Sequence, residues 1–276
     1  MFRKAYLEIT NICNLDCVFC PKTKREKRFM TVEEFEILSA KLREYTDYLY
    51  FHLMGEPLLH PELEYFLEYA GKLGFKIIIT TNGTKLEEKG KILLNASALH
   101  KVNISLQSFE ANEGGKLSGY LNSCAEFAKA ASDCGKLCVL RLWNRNGLES
   151  LNADIEEILE RHFPKPWRKS RDSWGLKEKV YLEHGDKFEW PDLNVPELGS
   201  QCFCYGLRDQ IGVLCEGTVV PCCLDHEGDL ALGNLLSTDL NKILETDRAK
   251  GIYDGFSRRQ ANEELCRKCG YARRFS

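Results

Sequence analysis

No stretch of this chain is apolar for long enough to cross a bilayer, so a helical membrane span is excluded. Neither sign of charge dominates. The 38 Lys and Arg against 41 Asp and Glu leave a net charge of -3, so nothing global demands nucleic acid or an anionic membrane surface. The opening residues, Met-Phe-Arg-Lys-Ala-Tyr-Leu-Glu-Ile, are interrupted by Glu8 and lack the apolar core of a signal peptide. A cytoplasmic protein without a membrane partner is expected. There is no internal repeat and no low-complexity tract. The remainder is ordinary globular material: 276 residues, 43% hydrophobic and 29% charged, enough for one large α/β domain or a domain with a small appendage.

Cysteine is abundant, and its 13 copies are grouped. Three lie between Cys13 and Cys20, seven between Cys202 and Cys269, and only Cys124, Cys134 and Cys138 fall between. In a reducing compartment such groups point to metal rather than disulfides. The middle three sit in apolar helix- or strand-like contexts and read as small buried hydrophobes.

The first group, Cys13, Cys17 and Cys20, has the spacing C-x3-C-x2-C directly after a strand-like run. Structural zinc closes with four protein ligands, whereas a [4Fe-4S] cluster held by three thiolates keeps one iron open. The alternatives are a zinc knuckle with a distant fourth ligand, or three unrelated buried cysteines. With Phe19 placed just before the last cysteine, the stretch resembles the signature of the radical S-adenosylmethionine (radical SAM) enzymes. The resemblance implies that the open iron chelates the amino and carboxylate groups of S-adenosylmethionine. One electron, from a donor such as flavodoxin or ferredoxin, then cleaves the sulfonium bond and releases a 5′-deoxyadenosyl radical.

The first two-thirds of the chain alternates strand- and helix-like segments. Strands are expected at Ala5–Thr10, Tyr48–Met54, Lys76–Thr81, Lys101–Gln107, Leu137–Trp143 and Val180–Glu183. Thr31 with Glu34 forms a capping box, Pro61 opens a second helix, and further helices are expected over Lys85–Asn95, Lys116–Cys134 and Leu151–Phe163. Repeated βα units predict an α/β fold with a parallel sheet. The resemblance implies a partial (β/α)6 barrel, open on one side. Residues 1–185 are read as that barrel, and 186–276 as a connector and a small cysteine-rich subdomain; Pro164–Gly175 reads as a loop.

Strand ends carry the polar residues that barrel sites use. Met54-Gly55-Glu56-Pro57 is close to the family's Gly-Gly-Glu-Pro motif, which implies cofactor contact by Gly55 and Glu56; Met54 departs from it. Asn82 closes strand three either as a pocket residue or as a structural Asn-Gly turn. Ser105 and Gln107 end strand four and would face one way on a strand. Arg141 is a charge in an apolar run and needs a partner, either a cofactor or substrate carboxylate or an internal acid such as Glu8. His52 and Glu110 are conceivable acid–base groups, although a structural histidine and a solvated glutamate are the ordinary reading.

The carboxyl-terminal cysteines include G-x4-C at Cys222 and C-x2-C at Cys266 and Cys269, with Cys202 and Cys204 upstream. This resembles the SPASM/twitch extension of radical SAM enzymes. No cysteine follows Cys269, so the shorter twitch form with one auxiliary [4Fe-4S] cluster is expected. Four thiolates suit that cluster and equally suit zinc. The chosen set is Cys204, Cys222, Cys266 and Cys269, with Cys202 the rival for Cys204. Cys222 and Cys223 would face opposite sides of a strand, so one cluster is not expected to use both.

The resemblance implies hydrogen abstraction from an unidentified small molecule or peptide, with oxidation or a related modification. Radical modification of RNA is an alternative, on the basic run Lys22, Lys24, Arg25, Lys27 and Arg28 and on the basic and aromatic stretch Lys165–Arg171. A non-catalytic zinc or iron-sulfur protein is the other.

Overall fold

The computed structural model describes residues 1–112 and 116–275. Six parallel strands form its centre: β1 (Lys4–Leu7), β2 (Tyr48–Phe51), β3 (Lys76–Thr81), β4 (Leu99–Ser105), β5 (Leu137–Arg145) and β8 (Val180–Asp186), side by side in that order. Helices α1 (Val32–Arg43), α2 (Leu63–Lys72), α3 (Leu86–Asn95), α4 (Leu117–Asp133) and α5 (Asn152–His162) make the crossovers. Sequential right-handed crossovers place such helices in one layer on one face of the sheet, and the result is the expected partial barrel. The capping box forms at the start of α1, where Thr31 Oγ1 accepts from Glu34 N and Glu34 Oε2 accepts from Thr31 N.

Period-two alternation sorts the strand residues. Leu7, Leu49, Phe51, Ile77, Ile79, Val102, Ile104, Leu140 and Leu182 pack beneath the helices as the main core. The other face is concave and polar to aromatic: Tyr6, Tyr50, Lys101, Arg141 and Glu183 occupy the alternate positions, and Tyr6 packs with Leu53, Leu214 and Val220 in a second, smaller core.

Two additions lie outside the expected six units. The stretch expected as a loop forms a hairpin of β6 (Arg168–Ser170) and β7 (Ser173–Lys177), antiparallel to β8 at one edge of the sheet. Its signal was masked because every side chain of β6 is exposed and polar. At the other edge the cysteine-rich segment returns to the sheet. There β9 (Gln210–Val213) pairs parallel to β1, then β10 (Thr218–Val220) and β11 (Gly233–Asn234) follow antiparallel, giving 11 strands in all among the described residues. The helices α6 (Leu240–Leu244), α7 (Asp247–Ser257) and the short α8 (Glu264–Arg267) complete the segment.

β1, β2 and β4 stop earlier than expected, whereas β5 and β8 run two and three residues further. Beyond Leu7 the chain leaves the sheet, and Thr10 pairs with Phe29 to close a loop over the first cysteines. Gln107 is not on a strand: β4 stops at Ser105, and Leu106–Ser108 turn as a 3-10 helix. The expected shared direction of Ser105 and Gln107 therefore does not hold.

Candidate active site

Cys13, Cys17 and Cys20 sit at the carboxyl ends of the strands, where barrel chemistry assembles. Two side-chain amides reach their sulfurs: Asn112 Nδ2 donates to Cys17 Sγ at 3.0 Å, and Asn82 Nδ2 lies 3.9 Å from Cys13 Sγ. Asn112 also accepts from the Asp16 backbone N–H, and Lys22 donates to the Cys17 carbonyl, so the loop is fastened at several points. Burial, reinforced by the neighbouring thiols, pushes the Cys13 and Cys17 pKa values up. Thiols crowded this way lose their protons to a bound cation. Asn112 is a site residue without a sequence signal, because it lies in an irregular turn with no motif spacing.

Gly55 is required by space. Its φ is +74°, and an added Cβ would meet the Thr10 carbonyl oxygen at 2.4 Å and that of Ile12 at 2.9 Å. The backbone of the Met54–Glu56 turn therefore lies directly against the cysteine loop. Glu56 is buried and its carboxylate is fully engaged within the protein. Oε1 accepts from Leu58 N and Thr81 Oγ1, and Oε2 accepts from Asn82 N at 2.7 Å. Burial outweighs these bonds and raises its pKa to about 7. The side chain ties the end of β2 to the end of β3, so any ligand contact from this turn falls to its backbone.

Asn82 also donates to Asn14 at 3.0 Å, placing it between β3 and the cysteine loop. Ser105 lies half-buried at the end of β4, beside Arg141 in register. Phe19 is half-buried, and its carbonyl accepts from the Trp190 indole at 3.1 Å. Arg141 stacks over Trp143 at 4.5 Å and meets Glu183 at 3.5 Å. Glu8, offered above as its internal partner, is instead held by Arg25 at 2.7 and 2.8 Å. The register explains the exchange: Arg141 and Glu183 are direct cross-strand neighbours. His52 lies near Tyr6 and is driven neutral by burial, its pKa falling to about 4. Glu110 accepts from Ser150.

The second cysteine group converges on one cavity lined by Cys204, Cys222, Cys266 and Cys269, with Leu230 and Tyr271 among its walls. Here α8 and the turn after it present Cys266 and Cys269, and β10 delivers Cys222. Cys202 is buried in the main core and does not line the cavity. Cys223 packs beside Tyr6 on the concave face, and Cys215 is buried with its backbone N–H on Glu8. Among the described residues no three His, Cys, Asp or Glu side chains are gathered tightly enough for a single metal ion. Three thiols suit a cluster that keeps one iron open, and four suit either a fully ligated cluster or zinc.

The basic run beside the first loop is largely engaged. Arg25 reaches Glu8, Glu216 and the His226 carbonyl, Arg28 pairs with Glu34, and Lys22 pairs with Asp16. These cations join the loop to the rest of the protein rather than forming a free phosphate-binding strip.

A one-faced parallel sheet, a three-thiol loop at its strand ends and a four-thiol cavity beside it define the class of iron-sulfur radical enzymes. Two family models agree. The Radical SAM superfamily model matches residues 7–142, and the SPASM model, an iron-sulfur cluster-binding domain, matches 202–270. The chain belongs to the radical SAM superfamily and carries a SPASM-type domain; its cofactors are a [4Fe-4S] cluster with S-adenosylmethionine and auxiliary iron-sulfur.

Among curated relatives, PqqA peptide cyclase of Xanthomonas euvesicatoria is 27% identical over 191 residues, covering 64% of this chain and 50% of that protein. A probable GTP 3′,8-cyclase of Pyrobaculum aerophilum is 23% identical over 154 residues, 54% of this chain and 49% of that one. The chain thus spans about half the length of these relatives. Among solved structures, BtrN in complex with AdoMet and 2-DOIA superposes with a TM-score of 0.63 at 19% identity, covering 98% of this chain and 93% of that one. Streptococcus suis SuiB bound to S-adenosylmethionine gives 0.63 at 16% identity, covering 91% and 68%. These structural likenesses show the fold. No helix among the described residues is long and apolar enough to cross a membrane.

Proposed function

We propose that Cys13, Cys17 and Cys20 hold the cluster that binds S-adenosylmethionine, and that Cys204, Cys222, Cys266 and Cys269 hold one auxiliary [4Fe-4S] cluster. The enzyme then oxidises, or otherwise modifies by hydrogen abstraction, a small molecule or peptide on the concave face. When bound, the first cluster and S-adenosylmethionine supply an electron and the carbon radical that removes the hydrogen. The chain's own residues do the positioning. Asn112 and Asn82 orient the first thiol set, and the Gly55 turn, Asn82 and Ser105 frame the cofactor side. Phe19 holds the connector through its carbonyl. Full ligation by four thiols favours an electron-accepting auxiliary cluster over one that binds substrate.

One observation carries this reading: the segment around the first thiol group is tied to the connector and to the cysteine-rich segment. Trp190 donates to Phe19 within the first loop, and Arg25 joins that loop to Glu216 and His226 in the cysteine-rich segment. Residues 1–185 act as the radical barrel, and 186–276 as connector and auxiliary domain. Free thiols in this number suit a reducing compartment, which supports a cytoplasmic enzyme served by a flavodoxin- or ferredoxin-type donor.

The test is 5′-deoxyadenosine formation by the anaerobically reconstituted, reduced protein with fractionated cell extract. Stimulation by a small-molecule or protease-sensitive fraction supports the reading, and serine at Cys13, Cys17 or Cys20 abolishes the product. Persistence of the product in any of these three variants overturns it, and nuclease-sensitive stimulation transfers the function to RNA.

A further inference from the structure

The concave face carries charge that the protein does not balance. Lys101, Arg141 and Glu183 point into it from adjacent strands, and a cavity of about 340 Å³ opens there. Lys101, Val139, Tyr181 and Glu183 wall the open cavity, and the exposed Arg171 and Asp172 of the β6–β7 turn border it. Both lining carboxylates are already engaged, Glu183 with Arg141 at 3.5 Å and Asp172 with Arg145 at 3.4 Å. Lys101 remains, half-buried, with Arg141 as its rival for Glu183, and the exposed Arg171 adds a second cation at the rim. The buried Nε of Arg141 has only the 3.5 Å ion pair with Glu183, outside good hydrogen-bond geometry, while its guanidinium stacks on Trp143. Burial and the nearby Arg141 push the Lys101 pKa down, and Glu183 only partly opposes them. Cations withdrawn from water require a counter-charge, and one Glu183 cannot serve two of them fully.

We infer that this cavity binds an oxyanion, carboxylate or phosphate, carried by a small-molecule substrate, with Lys101 and Arg171 as its counter-charges and Arg141 beside it. The assignment deepens the reading above and rests on it for calling the ligand a substrate. The volume lies in the range of small-molecule pockets and is too small for a folded partner. The β6–β7 hairpin, an addition to the six βα units, thereby becomes a wall of the specificity site.

The experiment is equilibrium dialysis of the reconstituted protein against radiolabelled inorganic phosphate and, separately, succinate. Iron content and S-adenosylmethionine binding are measured on the same samples. Saturable binding of one probe is expected: phosphate identifies a phosphorylated substrate, succinate a carboxylate. Lys101→Met weakens it about tenfold, Lys101→Arg restores it, and Glu183→Gln tightens it severalfold by removing the competing carboxylate. A purely structural role for Glu183 predicts the opposite sign. The inference is overturned if neither probe saturates, if Lys101→Met binds like the wild type, or if Glu183→Gln weakens binding while iron content is normal. If 5′-deoxyadenosine formation fails while the anion binds as expected, the radical reading falls and the anion site stands. The converse result removes only the anion site.

Discussion

At the scale of single residues, Glu56 shows how a motif residue serves the fold. Its carboxylate accepts three hydrogen bonds from the ends of β2 and β3, yet burial still lifts its pKa from 4.5 to about 7. A carboxyl raised in this way favours the folded state when protonated, and that contribution fades as pH rises through 7. Between pH 6 and 8 the wild type should lose about 1 kcal/mol of stability relative to Glu56→Gln, the linkage integral across that window. Urea midpoints of the reconstituted proteins at pH 6, 7 and 8 check this; parallel pH profiles would show that Glu56 does not titrate there. The motif was readable as a turn beside a site. That its carboxylate faces inward depends on Thr81 and Asn82, 25 and 26 positions away.

At the scale of elements, α8 and the strand pair β9–β10 decide which thiols meet. Cys222 and Cys223 lie beyond β10, in the turn after Val220 rather than on the strand expected for them, and the turn sends them apart: Cys222 enters the cavity and Cys223 meets Tyr6. Cys204 lines the cavity, while Cys202, two positions earlier, is packed into the core. Cys204→Ser should lower iron content by about four atoms per chain, one cluster, whereas Cys202→Ser leaves it unchanged. Iron analysis after anaerobic reconstitution decides, and the reverse pattern would exchange the two assignments. Sequence spacing left this pair open because both cysteines lie in an irregular connector, where no period assigns a face. The β6–β7 hairpin is not legible in the sequence for a related reason: an exposed edge strand has no buried face to impose alternation.

At the scale of the whole molecule, a buried ion pair fastens the cysteine-rich segment to the barrel. Glu8 on the concave side of β1 is fully buried, accepts twice from Arg25, and also accepts from the backbone of Cys215. Arg25 continues to Glu216 and the His226 carbonyl. Removing one partner of such a pair leaves an uncompensated charge in a dry site. Arg25→Met should therefore cost about 3–5 kcal/mol in chemical denaturation, and adding Glu8→Gln should recover a substantial part. A double variant as unstable as the sum of the singles would show that packing, not the stranded charge, sets the cost.

The sequence by itself determined the alternating elements, because each βα unit carries its own apolar period and its own caps. It also set apart the first thiol triplet and the C-x2-C pair, because the members of each are close in the chain. The tertiary structure alone decided the rest. It set Arg141 against Glu183 rather than Glu8, drew Lys22, Arg25 and Arg28 of the basic run into ion pairs, and brought β9 back to the side of β1. Each of these joins residues far apart in sequence, where charge and hydrogen bonding choose among many partners and no local period records the choice.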